Sequence, residues 1–196
     1  LPSERALRKN SLNTPFALTL AHGNHDQIYC LNAAAEKSGL HIGMSVTQAR
    51  ALCRNLTLQA ASPADDARFM QNLRRWSQRF TPWAAVDGTD NILLDITGTP
   101  HLFGGEAAML TEMRRRLNNM GLSCRMGLAD SKGGAWALAH YHEAIAKAGE
   151  SAEILQHLPV AALRLDAAMV VSLQRLGLRH IGDLQTTARA PLSRRF

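Results

Sequence analysis

The order of elements between Ser62 and Lys147 constrains this chain most: read by period and punctuation, it runs α, β, β, α, β, α. The first of these helices has the strongest start signal in the sequence. Ser62-Pro63-Ala64-Asp65-Asp66 supplies a cap hydroxyl, a first-turn proline and two acids at the positive end of a helix dipole. The helix is expected to reach Phe80, with Phe69, Met70, Leu73, Trp76 and Phe80 as its core stripe and Arg68, Arg74, Arg75 and Arg79 on the remaining surface. Pro82 enforces the stop. Trp83 to Val86 and Ile92 to Ile96 then read as an antiparallel hairpin around Asp87-Gly88-Thr89. Glu106 to Met120 is an amphipathic helix with Met109, Leu110, Met113 and Leu117 inward, ended by Gly121. Leu122 to Ala129 has strand character, and Lys132 to Lys147 has helical composition.

This order is most of a split βαββαβ sheet, so the fold class is α+β. If a first strand lies upstream of Leu1, the segment is the remainder of a ferredoxin-like domain. Before it, residues 1–14 are polar and basic (Arg5, Arg8, Lys9) and carry little structural signal. Pro15 to Leu20 and Gln27 to Leu31 form a plausible hairpin across Gly23 and Asn24. Asn32 caps a short helix of Ala33, Ala34, Ala35, Glu36 and Lys37, which Gly39 ends. A further helix from Ser45 or Thr47 to Cys53 puts Val46, Ala49 and Leu52 or Cys53 on one face. Four segments result: a connector 1–14, a small lobe 15–61, the central domain 62–150, and a helical segment 151–196.

Composition removes several classes. Hydrophobic residues are 46% and charged residues 19% of 196, and the apolar runs fall short of the roughly 18 residues a spanning helix needs. No membrane association is expected. Cys30, Cys53 and Cys124 form neither a CxxC pair nor an even disulfide set, so a reducing cytoplasm is the expected location. The net charge of +6 is unevenly spread. Residues 1–62 carry 6 Lys/Arg against 3 Asp/Glu, residues 63–150 carry 10 against 10, and residues 151–196 carry 6 against 3. Basic flanks around a neutral middle suit a clamp on a polyanion, although a generic solvated surface has the same arithmetic.

Near the C-terminus, Leu176-Gly177-Leu178-Arg179-His180-Ile181-Gly182 connects two helical runs tightly. Glycines at both ends of such a turn let backbone approach a phosphate, where exposed N–H groups favour negative charge. The turn is therefore a helix-hairpin-helix candidate for DNA binding, with Arg175, Gly177, Arg179, His180, Gly182, Arg194 and Arg195 as its contacts. A plain αα-hairpin ended by glycine is the competing reading. His22 with His25, and His140 with His142 and Glu143, lack a further ligand at zinc spacing, and solvated histidines are expected. Lys132-Gly133-Gly134 lacks the full phosphate-loop pattern.

Four stretches in sequence resemble one family. Asn32-Ala-Ala-Ala-Glu-Lys-Ser-Gly-Leu-His-Ile-Gly-Met44, followed by Gln48-Ala-Arg50 and Cys53-Arg-Asn-Leu56, is similar to the fingers motif of Y-family translesion DNA polymerases. Asp90-Asn-Ile-Leu-Leu-Asp95-Ile-Thr97 resembles their acidic palm motif, and Gly127-Leu-Ala-Asp-Ser-Lys132 with Ala135 their GIAxNKxxAK segment. Leu176 to Leu184 resembles the thumb's helix-hairpin-helix. Nearly the whole chain is covered, and the resemblance is closer to the ImuB-type members, polymerase-like proteins of bacterial damage-induced mutagenesis cassettes. It implies small fingers, a palm lacking its first strand, a thumb, and no little finger.

The departures concern the chemistry. Polymerisation uses two divalent ions held by carboxylates on neighbouring strands. By resemblance Asp90 is the aspartate of the family's Asp-Glu pair and the candidate metal ligand, but Asn91 stands at the glutamate position. The fingers' tyrosine and arginine, which contact sugar and triphosphate in the family, correspond to Ala33 and Glu36. Glu36 repels phosphate where arginine attracts it. Lys132 matches a phosphate-contacting lysine. Without the resemblance, Asp90 reads as a turn carboxylate, Asp95 as a partner for an arginine, and Lys132 as a surface lysine. Two functions stand in the sequence. The first is a non-catalytic, DNA-binding scaffold needing no cofactor, acting in bacterial damage tolerance. The second is a working translesion nucleotidyltransferase using Asp90, an upstream aspartate and Mg²⁺. The resemblance further implies a sliding clamp, a RecA-like cassette protein and an error-prone replicative-type polymerase as partners, through regions absent from this chain.

Overall fold

A computed structural model describes residues 2–7, 13–23 and 25–187. The chain separates into two compact units, Leu1–Cys124 and Arg125–Phe196. The division falls inside the 62–150 segment, and the reason for the first unit's extent is a helix with no clear sequence signal. This is α1 (Pro2–Leu7). Its Ser3 hydroxyl donates to Leu31 O at 3.4 Å, its Arg5 Nε donates to Asp66 Oδ1 at 2.5 Å, and its Glu4 carboxylate accepts from Ser123. One short helix thereby ties the lobe, the first helix of the central domain and its far end together.

The lobe begins with the expected hairpin, β1 (Phe16–His22) and β2 (His25–Leu31), paired antiparallel with an irregularity between Leu18 and Thr19. Asn32 closes it. Its Oδ1 accepts from Phe16 N and from Ala35 N, both at 3.0 Å, and its amide donates to Thr14 O. The cap starts α2 (Ala33–Lys37), and α3 (Val46–Leu52) follows with Ser45 as its cap. Ala49 and Cys53 are buried while Leu52 is exposed, so Cys53 is the core member of that pair. A strand without forecast, β3 (Thr57–Ala60), pairs parallel to β1 and completes the order β2-β1-β3. Ala17, Ile28, Leu31, Ala35, Leu40, Met44 and Ala49 form the core between this sheet and its helices.

The Ser62 cap is present, accepting from Asp65 N, and α4 runs Pro63–Ser77. It ends three residues before Phe80. The last three residues form a turn in which Phe80 N donates to Ser77 O at 2.9 Å. Met70 and Phe80 are buried, and Phe80 packs against Trp76 and Phe103 with ring centroids 5.5 and 5.4 Å away. Then β4 (Trp83–Asp87) and β5 (Asn91–Asp95) form the expected antiparallel hairpin, and α5 (Glu106–Asn119) buries Met109, Met113 and Leu117 as forecast.

Two expectations are corrected beyond that point. Leu122 to Ala129 is not a ladder strand, because its hydrogen bonds go elsewhere. Ser123 N bonds Glu4, Met126 N bonds Glu143 Oε1, and Leu128 meets the chain near Ala144 and Ala146 in a single parallel bridge to Ile145. The helix from Lys132 is α6 (Lys132–Tyr141), and it stops six residues short of Lys147. His142 leaves the helix so that Ala144 and Ala146 can pair with Leu128. Gly127 lies flat on α6: a Cβ there would sit 2.4 Å from Ala135 O and 2.5 Å from Ala139 N.

The second unit continues with α7 (Ser151–Leu155), a 3-10 turn at Val160–Leu163, α8 (Ala167–Arg175) and α9 (Ile181–Thr186). Leu138, Ala137, Ala146, Leu158 and Ala162 are its core. Trp136 is stacked on His140 at 4.0 Å and covered by the Arg164 guanidinium at 4.9 Å. The α8–α9 connection is held by Asp183, whose Oδ2 accepts from the backbone N–H groups of Arg179 and His180, each at 2.8 Å. These donors, His180 first, lower the carboxyl pKa below its ordinary value.

Two predictions follow from these contacts. Replacing Arg5 by Met leaves the buried Asp66 carboxylate uncompensated and should cost about 3 kcal/mol in denaturant unfolding, while Arg5→Met with Asp66→Leu should recover most of it. Asp183 has a depressed pKa, so its contribution is present above the unfolded value and is lost as pH falls through the folded one. Thermal unfolding of Asp183→Asn should therefore show lower stability at neutral pH and a shallower acid-side decline than the parent.

Candidate functional site

The palm-motif residues sit at the tip of the β4–β5 hairpin. Asp87-Gly88-Thr89-Asp90 makes the turn, Gly88 with φ of 70°, and Asn91 pairs with Asp87 across the two strands. Asp90 is exposed, and its Oδ1 accepts from Asn91 Nδ2 at 2.8 Å. The two residues that resemble the family's paired acids are thus together, but as one carboxylate bonded by a neutral amide. This pair supplies one negative charge where an Asp-Glu pair supplies two. Asp95 Oδ1 accepts from Thr97 N at 3.0 Å and shapes the strand end.

Ala33 and Glu36 both lie exposed on α2. The Asn32 cap determines which residues this helix shows, and at the two family positions it shows a methyl group and an acid. No cation of the helix stands in for the missing arginine except Lys37, the next residue along. Lys132 belongs to the second unit, at the first position of α6, exposed, with Gly133 beside it in open space. Ser131 caps this helix by accepting from Gly134 N at 3.1 Å. Gly134 is packed, since a Cβ would meet Ser131 Oγ, Ala129 and Leu155 at 3.0–3.1 Å.

The α8–α9 turn differs from its expected chemistry. Gly177 N donates to Gln174 O, Leu178 N to Leu173 O, Arg179 N and His180 N to Asp183, Ile181 N to Leu158 O and Gly182 N to Gln156 O. Every backbone donor from 177 to 182 is already used. The expectation that this turn presents unbonded N–H groups to a phosphate is corrected. Gly177 serves the turn through its φ of 84°, and Gly182 serves close packing, since a Cβ there would lie 3.1 Å from Gln156 O. The side chains of Arg175, Arg179 and His180 stay exposed, with the His180 ring 3.7 Å from Asp183. Arg194 and Arg195 lie outside the described residues, as does the His22 side chain. Asp183 was missed in the sequence, where its place three residues after His180 is the usual position for an acid that reaches back to a helix start.

Of the remaining histidine candidates, His25 and His142 are exposed. His140 Nδ1 lies 2.8 Å from Trp136 O, and Glu143 accepts from Met126 N. Among the described residues, no three His, Cys, Asp or Glu side chains gather as a metal site, and no helix is long and apolar enough to cross a membrane.

Comparison with known proteins places this geometry. Protein ImuB of Caulobacter vibrioides (strain NA1000 / CB15N) is 44% identical over 160 residues, covering 81% of this chain and 35% of that protein. DNA polymerase IV of Dehalococcoides mccartyi (strain CBDB1) is 25% identical over 187 residues, covering 92% of this chain and 48% of the relative. The chain therefore spans between a third and a half of these relatives. Among solved structures, the insertion ternary complex of Dbh DNA polymerase superposes with a TM-score of 0.83 at 16% identity, over 98% of this chain and 59% of that one. DinB from Sulfolobus solfataricus gives 0.78 at 15% identity, over 98% and 58%. The fold is that of the Y-family polymerases, in its fingers and palm region. Residues 3–140 match the impB/mucB/samB family, and to that family the chain belongs.

Proposed function

We propose that this chain is the DNA-binding, polymerase-like core of a protein of bacterial DNA-damage tolerance, and that it holds template for an active error-prone polymerase instead of joining nucleotides itself. The single observation that carries the non-catalytic part is the Asn91 amide on the Asp90 carboxylate. An amide bonded to the remaining acid leaves the pair one charge short of what two dications need. Glu36, exposed on α2 where the family has arginine, works against an incoming triphosphate in the same direction. The ImuB and DNA polymerase IV relatives support the wider role, and the Dbh complex supports DNA as the ligand.

DNA contact is assigned to the side chains of Arg175, Arg179 and His180. The proposal extends to a cytoplasmic location, induced mutagenesis as the setting, and a sliding clamp, a RecA-like protein and an error-prone replicative-type polymerase as partners. One observation favours the alternative of a working translesion polymerase: Lys132 stands exposed at a helix start, beside the open Gly133, as a phosphate contact would. In that reading Ala33, in place of a sugar-facing tyrosine, weakens discrimination against ribonucleotides, and Mg²⁺ is required.

Primer extension by the full-length protein with Mg²⁺ or Mn²⁺ separates the two readings. No incorporation above background is expected, and template-dependent incorporation abolished by Asp90→Ala defeats the scaffold. A triphosphate affinity that drops in Lys132→Ala would favour the alternative. For DNA binding, Arg179→Ala should lower affinity and reduce the slope of log K against log salt by about 0.9 on duplex DNA, independent of sequence. An unchanged slope removes Arg179 from the interface.

A further inference from the structure

Along one solvent-facing row of α4 the charged side chains are arginines, the first of them paired with Asp65. Arg68, Asn72 and Arg75 stand at i, i+4 and i+7, opposite the buried Asp66, Met70 and Ser77, and all three are exposed. One turn on, Arg79 is exposed as well, its guanidinium laid over Trp76 at 4.9 Å and its Nε bonded to Trp76 O at 2.9 Å. A solvated helix face ordinarily mixes charge signs. Here Arg68 has Asp65 at 3.5 Å, while no ion pair engages Arg75 or Arg79 among the described residues. Off this row, Arg74 is half-buried and bonded to Gln71 at 3.2 Å.

The row runs into a cavity of about 560 Å³ within the first unit. Arg68 and Asn72 form one wall, and Phe69, Met120 and Leu122 make it apolar. Met120 is a large apolar side chain left 37% exposed. Glu4, Arg5 and Asp65 also line the cavity. An apolar recess beside a row of arginines asks for two things at once, a bulky apolar group and negative charge about 10 Å along a helix axis.

We infer that the exposed face of α4 and its adjoining cavity dock an acidic amphipathic helix of another protein, one apolar side chain entering beside Phe69 and Met120 and its acids facing Arg75 and Arg79. A nucleic-acid backbone fits less well. It offers no aliphatic anchor for the recess. This surface is independent of whether the Asp90 site is catalytic.

The test uses the full-length protein and a labelled acidic helical peptide of about 18 residues, with glutamates at i, i+7 and i+11 and one phenylalanine on the same face. Anisotropy at physiological salt should show saturable binding that weakens about tenfold or more in Arg75→Glu and that recovers when the peptide glutamates become lysines. Arg74→Glu should weaken it less than Arg75→Glu does, because Arg74 lies about 100° around the helix from the row. Replacing the peptide phenylalanine by alanine should also weaken binding about tenfold. Arg75→Gln, with thermal unfolding of each variant, guards against loss of fold. Absence of saturable binding overturns the inference, as does equal binding by the alanine peptide. Binding of a single-stranded oligonucleotide that loses as much in Arg75→Glu as the peptide does would reassign the face to nucleic acid, and self-association abolished by Arg75→Glu would reassign it to a second copy; either result overturns it.

Discussion

The ion pair between Arg5 and Asp66 is the contact on which the first unit depends. Asp66 is almost wholly buried, and a buried carboxylate is tolerable only with a cation and hydrogen bonds to offset its lost hydration. Arg5 supplies the cation to Oδ1, while Oδ2 finds no hydrogen-bond partner among the described residues. Through this pair a six-residue helix reaches α4, and through Ser3 and Glu4 the same helix reaches Leu31 and Ser123. The hairpin lobe and the helical layer are held as one body by three polar contacts from consecutive residues.

Local chemistry was legible where a side chain acts on its own neighbours. The Ser62 and Asn32 caps, the Asp-Gly turn before Asp90 and the inward face of α5 all follow from residues within a few positions of each other. What escaped was decided at a distance. α1 has an unremarkable polar sequence, and its stability comes from Asp66 and Ser123, far along the chain. β3 is four residues long and largely exposed, and only the open edge of β1 makes it a strand. Leu122 to Ala129 has the composition of a strand, but Glu143 and Ala144 take its donors. Helix propensity through Lys147 yields in the same way to the pairing of Ala146 with Leu128.

The candidate site divides along the same line. Which residues lie at the family positions was plain in the sequence, and the structure adds how Asp90 and Asn91 meet. In the α8–α9 turn, the glycines were recognised but their roles were not. A glycine beside a helix start serves a phosphate or a neighbouring backbone equally well, and only the position of Gln156 decides between them. Asp183 takes the backbone N–H groups of Arg179 and His180, and the side chains of Arg175, Arg179 and His180 remain exposed.

Asn32 bonds Phe16 at the base of the hairpin and Ala35 in the first turn of α2 with the same oxygen. Closure of the two strands and nucleation of the helix consequently share one acceptor, and loss of the Asn32 side chain removes this partner from both donors. One side chain thereby couples the stability of the strand pair to that of the helix.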